Sequence, residues 1–125
     1  MFSLSRKTIW VVGGAGYLGQ ATVQGLVALG ARVVCADLDD RAARFVQRAG
    51  LAPTVTSVSL DVRDGAGLEA FVETTLRERG CPQGLVNLAY SSTAKPLETL
   101  SESEFNAACH VNLTSTFLLA RRVGG

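Results

Sequence analysis

The stretch Thr8-Ile9-Trp10-Val11-Val12-Gly13-Gly14-Ala15-Gly16-Tyr17-Leu18-Gly19 decides the fold. An apolar, β-branched run ends on glycines at GxxGxxG spacing, and a helical period of apolar residues comes next. The physical needs at the three positions differ. Gly13 permits a tight turn, Gly16 lets backbone approach a pyrophosphate, and Gly19 lets the next helix pack closely on its strand. The helix N-terminus then offers free N–H groups and the positive end of its dipole to the phosphates. The stretch reads as a dinucleotide phosphate loop, and an acidic residue at the end of the second strand gives that reading its weight.

That second strand is Ala31-Arg32-Val33-Val34-Cys35-Ala36-Asp37, a short apolar run ending in a carboxylate. Asp37 lies about twenty residues beyond the glycines, where a Rossmann fold places the acid that accepts hydrogen bonds from the adenosine ribose. A carboxylate there repels a 2′-phosphate, so NAD is favoured over NADP. Neither Leu38 nor Gly16 supplies a cation for such a phosphate, and Arg41 is expected on an exposed helix face. The other role for Asp37 is to cap the next helix, which Asp39 or Asp40 also suits.

Composition bounds the rest. A chain of 125 residues has room for one domain, expected over residues 1–125. A net charge of +1 provides no electrostatic footprint for nucleic acid or an acidic membrane surface. Cys35, Cys81 and Cys109 are widely spaced and lack a metal-ligand pattern, which suggests reduced core thiols, no metal, and a cytoplasmic location. Residues 1–8 are too short and polar for the apolar core of a signal sequence, so none is expected there, and no apolar run reaches membrane-spanning length.

Short apolar runs alternate with helical periods, the pattern of an α/β protein with a parallel sheet covered by helices. Strands are expected at 8–12, 32–36, 54–60 and 84–88. The first helix shows an apolar stripe at Leu18, Ala21, Thr22, Gly25, Leu26 and Leu29, with Gly30 suited to a left-handed C-cap. A second helix spans 40–49, and a third carries Leu68, Phe71, Val72, Thr75 and Leu76. Ser101 and Glu104 form a capping-box pattern that starts a long helix, Ser101 to Arg121. On it Phe105, Ala108, Cys109, Leu113, Thr116, Phe117 and Ala120 recur on one expected buried face, together with Asn112. A buried amide needs partners, so Asn112 is either a structural hydrogen-bonder or a site residue. His110 and Trp10 are read as packing residues.

The glycine loop, Asp37, Asp61-Val62, Asn87-Leu88-Ala89-Tyr90 and Val111-Asn112-Leu113 together resemble the short-chain dehydrogenase/reductase family over the whole chain. The resemblance implies a Rossmann-type, doubly wound, three-layer sheet with its strands in the order 3-2-1-4. It implies that Asp61 and Val62 lie against the adenine, that Asn87 through Tyr90 steady the sheet and line the nicotinamide-ribose region, and that Asn112 is the active-site asparagine. The expected cofactor set is Gly13, Gly16, Tyr17, Leu18, Gly19, Asp37, Leu38, Asp61, Val62, Asn87, Ala89 and Tyr90, with NAD as cofactor and an alcohol or carbonyl compound as substrate. Pairing of the long helix with its copy in a second subunit, giving a homo-oligomer, is a further implication.

Several residues depart from the family pattern. Val12 stands where a threonine hydroxyl usually braces the glycine turn, and Leu88 and Tyr90 replace an Asn and a Gly. Ser91, Ser92 and Lys95 form a loop that either borders the pocket or is a solvated turn before Pro96. Family chemistry uses a Ser and a Tyr-x-x-x-Lys pair, in which the tyrosine is general acid/base. Tyr17 and Tyr90 are each followed four residues on by alanine. The expectation is therefore a cofactor-binding half, truncated at about four strands and inactive alone. A non-catalytic dinucleotide-binding module and, more remotely, an S-adenosylmethionine-dependent methyltransferase are the alternatives.

Overall fold

Alternation of side chains along β1 (Thr8–Val12) divides the protein into two cores. Ile9 and Val11 point to one face of the sheet, Trp10 and Val12 to the other, and all four are buried. The computed structural model describes residues 2–91 and 94–124, so Ser92 lies outside the described residues. Around β1 lie β2 (Arg32–Asp37), β3 (Val55–Ser59) and β4 (Gly84–Asn87) in a parallel sheet of order β3-β2-β1-β4. Val12 pairs with Ala36 on one side and Asn87 on the other, so the C-terminal ends of the strands come together. Burial of β1 and β2 on both faces explains why they read as unbroken apolar runs rather than as alternation.

Helices α1 (Tyr17–Ala28) and α2 (Arg41–Ala49) cover one face, where Val23, Phe45 and Val46 pack on Ile9, Val11, Val33 and Cys35. Helix α3 (Gly65–Arg79) covers the other, with Leu68, Phe71 and Val72 against Trp10, Val12 and Val34. Trp10 and Phe71 meet edge to face, with centroids 5.4 Å apart at 64°. Such pairs contribute about 0.5–1.5 kcal/mol beyond their buried area. Gly30, with φ of +97°, ends α1 as expected: its amide bonds Val27 and that of Ala31 bonds Leu26, the two bonds of a Schellman cap.

The phase of α1 differs from the expected stripe. Leu18, Ala21, Gly25 and Leu29 face solvent, and Gly19 and Val23 are buried with Leu26 and Val27 beside them. Contact between Gly19 and the loop sets this rotation, which apolar spacing alone does not reveal. The long helix also departs from expectation. Its capping box is present, with Ser101 Oγ accepting from Glu104 N at 3.1 Å and Glu104 Oε1 accepting from Ser101 N at 3.2 Å. Beyond it α4 (Glu102–Cys109) passes through a π-helical turn, His110–Thr114, into α5 (Ser115–Val123). The extra residue in that turn shifts the facing of the chain. Val111, Ser115 and Leu119 are the buried positions, whereas Phe105, Asn112, Leu113, Thr116, Phe117 and Ala120 are exposed. Two apolar rows wind along this helix, and the sheet takes the shorter-chained one.

Among the described residues no helix is long and apolar enough to cross a membrane, and no group of three metal-ligating side chains occurs. The three cysteines are free, but only Cys35 is a core residue. Burial, and then the charge of Asp37, push its thiol up to about 12. Cys81 is exposed, its thiol 3.4 Å from the Val123 carbonyl. Only thiolate reacts with disulfide reagents. Titration with an aromatic disulfide at pH 8 should therefore label Cys81 first and leave Cys35 unlabelled until denaturant is added. Prompt labelling of all three would contradict the burial of β2.

Candidate functional site

The four strand ends enclose a cleft of ≈ 270 Å³. The turn after β1 contributes Gly13 and Gly16, the end of β2 contributes Asp37, Leu38 and Arg41, Leu60 to Arg63 come after β3, and Leu88 to Ser91 after β4. In an open parallel sheet ligands bind outside the carboxyl ends of the strands, where the strand order reverses. Here the reversal lies at β1, between β2 and β4.

The glycine turn is held from the side by β2. Ala36 O accepts the amides of Gly13 at 2.8 Å and Gly14 at 3.2 Å, and Asp37 Oδ2 accepts the Ala15 amide at 2.9 Å. Asp37 Oδ1 accepts the Leu38 amide at 2.7 Å, and the side chain is 8% exposed. These bonds supply the bracing for which Val12 has no hydroxyl. Asp37 is thus both a loop brace and a wall of the cleft.

The glycines serve distinct ends. Gly13 has φ of +78°, and a Cβ there would lie 2.7 Å from the amide nitrogen of Ala89. At Gly19 a Cβ would overlap the Gly13 carbonyl oxygen and come within 2.6 Å of the Gly14 carbonyl carbon. Gly16 is different. Its backbone is extended, with φ −75° and ψ 179°, and a Cβ there meets only the Gly13 carbonyl oxygen, at 3.5 Å. It is the N-cap of α1 without a side-chain cap, so the first-turn amides lie open beside it.

On the far wall Asp61 is clasped by Arg63, whose Nη2 lies 2.8 Å from Oδ2, Nε 2.9 Å from Oδ1 and backbone amide 3.0 Å from Oδ1. The hydrogen bonds from the Arg63 side chain hold the Asp61 carboxyl below its ordinary value. At the β4 end, Asn87 Nδ2 donates to Thr116 Oγ1 at 2.8 Å while Oδ1 accepts from the Ala89 amide at 3.2 Å. Asn87 fastens the strand end to α5. Asn112 grips the next loop in the same way: Oδ1 accepts the Ser91 amide at 2.9 Å and Nδ2 donates to the Ser91 carbonyl at 2.8 Å. Both ends of its amide are engaged although the side chain is exposed, so the Ser91 loop, and not burial, accounts for its partners.

Of the expected site residues, Gly13, Gly16, Asp37, Leu38, Asp61, Val62, Ala89 and Tyr90 meet in the cleft. Tyr17 and Leu18 project to solvent, 95% and 67% exposed, and Gly19 is buried behind the loop. Asn87 and Asn112 stand behind the wall as fasteners. Lys95 pairs with Glu104 at 2.7 Å and is not part of the cleft lining. Arg41 and Arg63 line the cleft, although neither is in the expected cofactor set. The spacing held a signal for them, since each lies within four residues of a site carboxylate.

Residues 7–124 match the model of the short chain dehydrogenase family. The chain belongs to that family. It is 36% identical over 119 residues to 2,5-dichloro-2,5-cyclohexadiene-1,4-diol dehydrogenase of Sphingobium indicum, covering 94% of this chain and 47% of the relative. It is 30% identical to D-threitol dehydrogenase of Mycolicibacterium smegmatis, covering 98% and 48%. Among solved structures, a short-chain dehydrogenase/reductase of the glucose/ribitol dehydrogenase type from Brucella melitensis superposes with a TM-score of 0.88 at 25% identity, over 98% of this chain and 52% of the other. The Pseudomonas aeruginosa RhlG/NADP active-site complex gives 0.88 at 27%, over 98% and 48%. The chain spans about half the length of the curated relatives it matches. Membership of the short-chain dehydrogenases sets the methyltransferase alternative aside.

The two helix-side glycines generate a separable prediction. Gly19→Val should lower stability by more than about 2 kcal/mol, because loop backbone cannot yield as a flexible side chain can. Gly16→Val, in extended backbone with open space above it, should stay within about 1 kcal/mol of the parent. Urea unfolding of the two variants measures the difference. A larger loss for Gly16→Val would contradict the loop geometry.

Proposed function

We propose that this short-chain dehydrogenase chain binds NAD at the C-terminal end of its sheet, as the cofactor-binding part of an oxidoreductase acting on an alcohol or carbonyl compound. The observation that carries this reading is the open side of Gly16. The fold makes no use of the missing side chain there, whereas Gly13 and Gly19 are glycine for reasons of packing. An anion seated over Gly16 would meet the first-turn amides of α1. The cleft is smaller than the roughly 300–1,000 Å³ of a typical ligand site, a size suited to the adenosine half of a dinucleotide.

In this reading Leu38 and Val62 flank the adenine, Asp61 faces its edge, and Asp37 accepts a ribose hydroxyl on a lone pair left free by Ala15 and Leu38. Ala89 and Tyr90 border the path toward the nicotinamide. When bound, the nicotinamide supplies a two-electron hydride acceptor or donor. Asn112 is a positioning residue, holding the Ser91 loop against the π-helical turn. Within residues 1–125 neither tyrosine has a lysine four places on, so this chain by itself is expected to bind cofactor without turnover. A dinucleotide-binding module that never catalyses is the second reading, favoured by that same observation. Oxidation assays on the chain and on its longest natural form, with a panel of alcohols and diols, separate the two.

The exposed row Phe105, Leu113 and Phe117, each more than half accessible, supports a homo-oligomer formed through this helix. Phe117→Glu should shift the mass seen by light scattering toward the monomer, and an unchanged mass would oppose that interface. A cytoplasmic setting agrees with the free thiols of the chain.

Cofactor choice tests the main reading. NAD should bind more tightly than NADP, and Asp37→Asn should narrow the gap by roughly tenfold, about 1.4 kcal/mol. Asparagine is the better replacement than alanine, because its carbonyl oxygen can still brace Ala15. Calorimetric titration with both dinucleotides measures it. Equal affinities in the parent chain would sink the role given to Asp37.

A further inference from the structure

Where the strands begin, at the end of the sheet away from the cleft, lies a second pocket of ≈ 140 Å³. Its lining includes Thr8, Arg32, Pro53, Thr54, Thr56 and Arg79, with no carboxylate among the described residues. Strand register explains the gathering. Thr8 pairs with Arg32 and Val34 with Thr56, and the Thr54 carbonyl accepts the Val33 amide at 3.1 Å. Alternation therefore puts the side chains of Thr8, Arg32, Thr54 and Thr56 on the face that Trp10 and Val34 share with α3. Arg79, in the last turn of α3, lies four places after Thr75 and seven after Val72, so it continues the buried stripe of that helix. Each arginine ends an apolar row, one on the sheet and one on the helix, and the two rows finish at the same pocket.

Among the described residues the ion pairs are made by Arg41, Arg44, Arg63, Lys95, Arg121 and Arg122, which leaves Arg32 and Arg79 without an acidic partner. The threonine hydroxyls bonded to protein are those of Thr22, Thr99 and Thr116, so the three that line the pocket are open as well. Two cations facing one cavity repel each other, and an anion between them turns that repulsion into charge-assisted hydrogen bonds. We propose that this pocket binds a terminal phosphate group, as inorganic phosphate or on a small phosphomonoester. Above a second pKa of about 6 such a group carries two negative charges, which match the two guanidinium groups. Its free oxygens accept from planar arginine forks and from hydroxyls. The C-terminal end of the α3 dipole opposes an anion here with about half a charge, and the two arginines outweigh it. With ≈ 140 Å³ against ≈ 270 Å³ in the cleft, the pocket has the size for a tetrahedral group and not for a nucleotide. The bridge phosphates of a dinucleotide carry one charge each and two ester links, so this site differs from the Gly16 turn in chemistry as well as in place.

Binding is the readout. In phosphate-free buffer the chain is titrated with inorganic phosphate and with glycerol phosphate, followed by calorimetry and by amide resonances. A single ion should bind per chain, with shifts at Thr8, Arg32 to Val34, Thr54 to Thr56 and Arg79. Arg32→Gln and Arg79→Gln should each weaken binding by roughly ten- to a hundredfold, the range of one charge-assisted hydrogen bond. Arg79→Lys, which keeps the charge but not the fork, should fall between the parent and Arg79→Gln. Arg44→Gln, which removes a surface cation paired with Asp40, should change phosphate affinity by less than about threefold. Unshifted resonances away from the pocket show that each variant keeps its fold. Tighter binding of the ester supports the pocket with a phosphorylated small molecule as occupant, and tighter binding of inorganic phosphate supports it with the free ion. No saturation at millimolar concentrations of either, shifts confined to the glycine turn, or equal weakening by Arg44→Gln overturns the proposal.

Discussion

One buried carboxylate holds the site end of the molecule together. Asp37 ends β2 and takes the amide of Ala15 from the neighbouring turn and that of Leu38 from its own strand exit. The turn after β1 is thereby tied to β2 at three successive amides, two on the Ala36 carbonyl and one on Asp37. A buried carboxylate is tolerated only where donors surround it, and here the donors are backbone groups that the turn would otherwise leave unsatisfied. The loop and the acid stabilise each other.

That tie determines the rest of the cleft. Because the turn is fixed, Gly19 must pass beneath it without a side chain, which sets the rotation of α1 and buries Val23 rather than Leu18. The parallel register then brings the ends of β3 and β4 level with the turn, and their loops close the cleft through Asp61, Val62, Ala89 and Tyr90. Behind the wall, Asn87 and Asn112 perform one job at two places, joining the β4 end and its loop to the last helix. The short-chain dehydrogenase framework is in this sense a set of clamps around the strand ends.

Strand positions were legible from residues 8–12, 32–36 and 84–88 as apolar runs between glycines and acids, whereas their order came only through the resemblance to the short-chain dehydrogenase/reductase family. The cleft residues were legible where a motif names a backbone need, as at Gly13, Gly16 and Asp37. Helix phase was not. On α1 the apolar spacing of Leu18, Leu26 and Leu29 is as regular as that of Val23, Leu26 and Val27, and only the contact at Gly19 chooses between them. On the last helix the π-helical turn at His110–Thr114 changes the phase by an amount no fixed period contains. Arg41 was not legible as a cleft residue, because an arginine in the first turn of a helix reads as solvated surface. Its spacing from Asp37 carried the opposite message.

The occupancy of the cleft can be observed directly in a chain of this size. Amide resonances monitored by heteronuclear NMR during titration with NAD should shift, in a saturable way, at Gly13 to Leu18, Leu38, Asp61 to Arg63 and Ala89 to Ser91. The amides at the opposite end of the sheet, around Thr8, Arg32 and Thr54, should stay in place. Saturable shifts confined to that opposite end, or none at Gly16 and Tyr17 at millimolar cofactor, would contradict a dinucleotide site at the carboxyl ends of the strands.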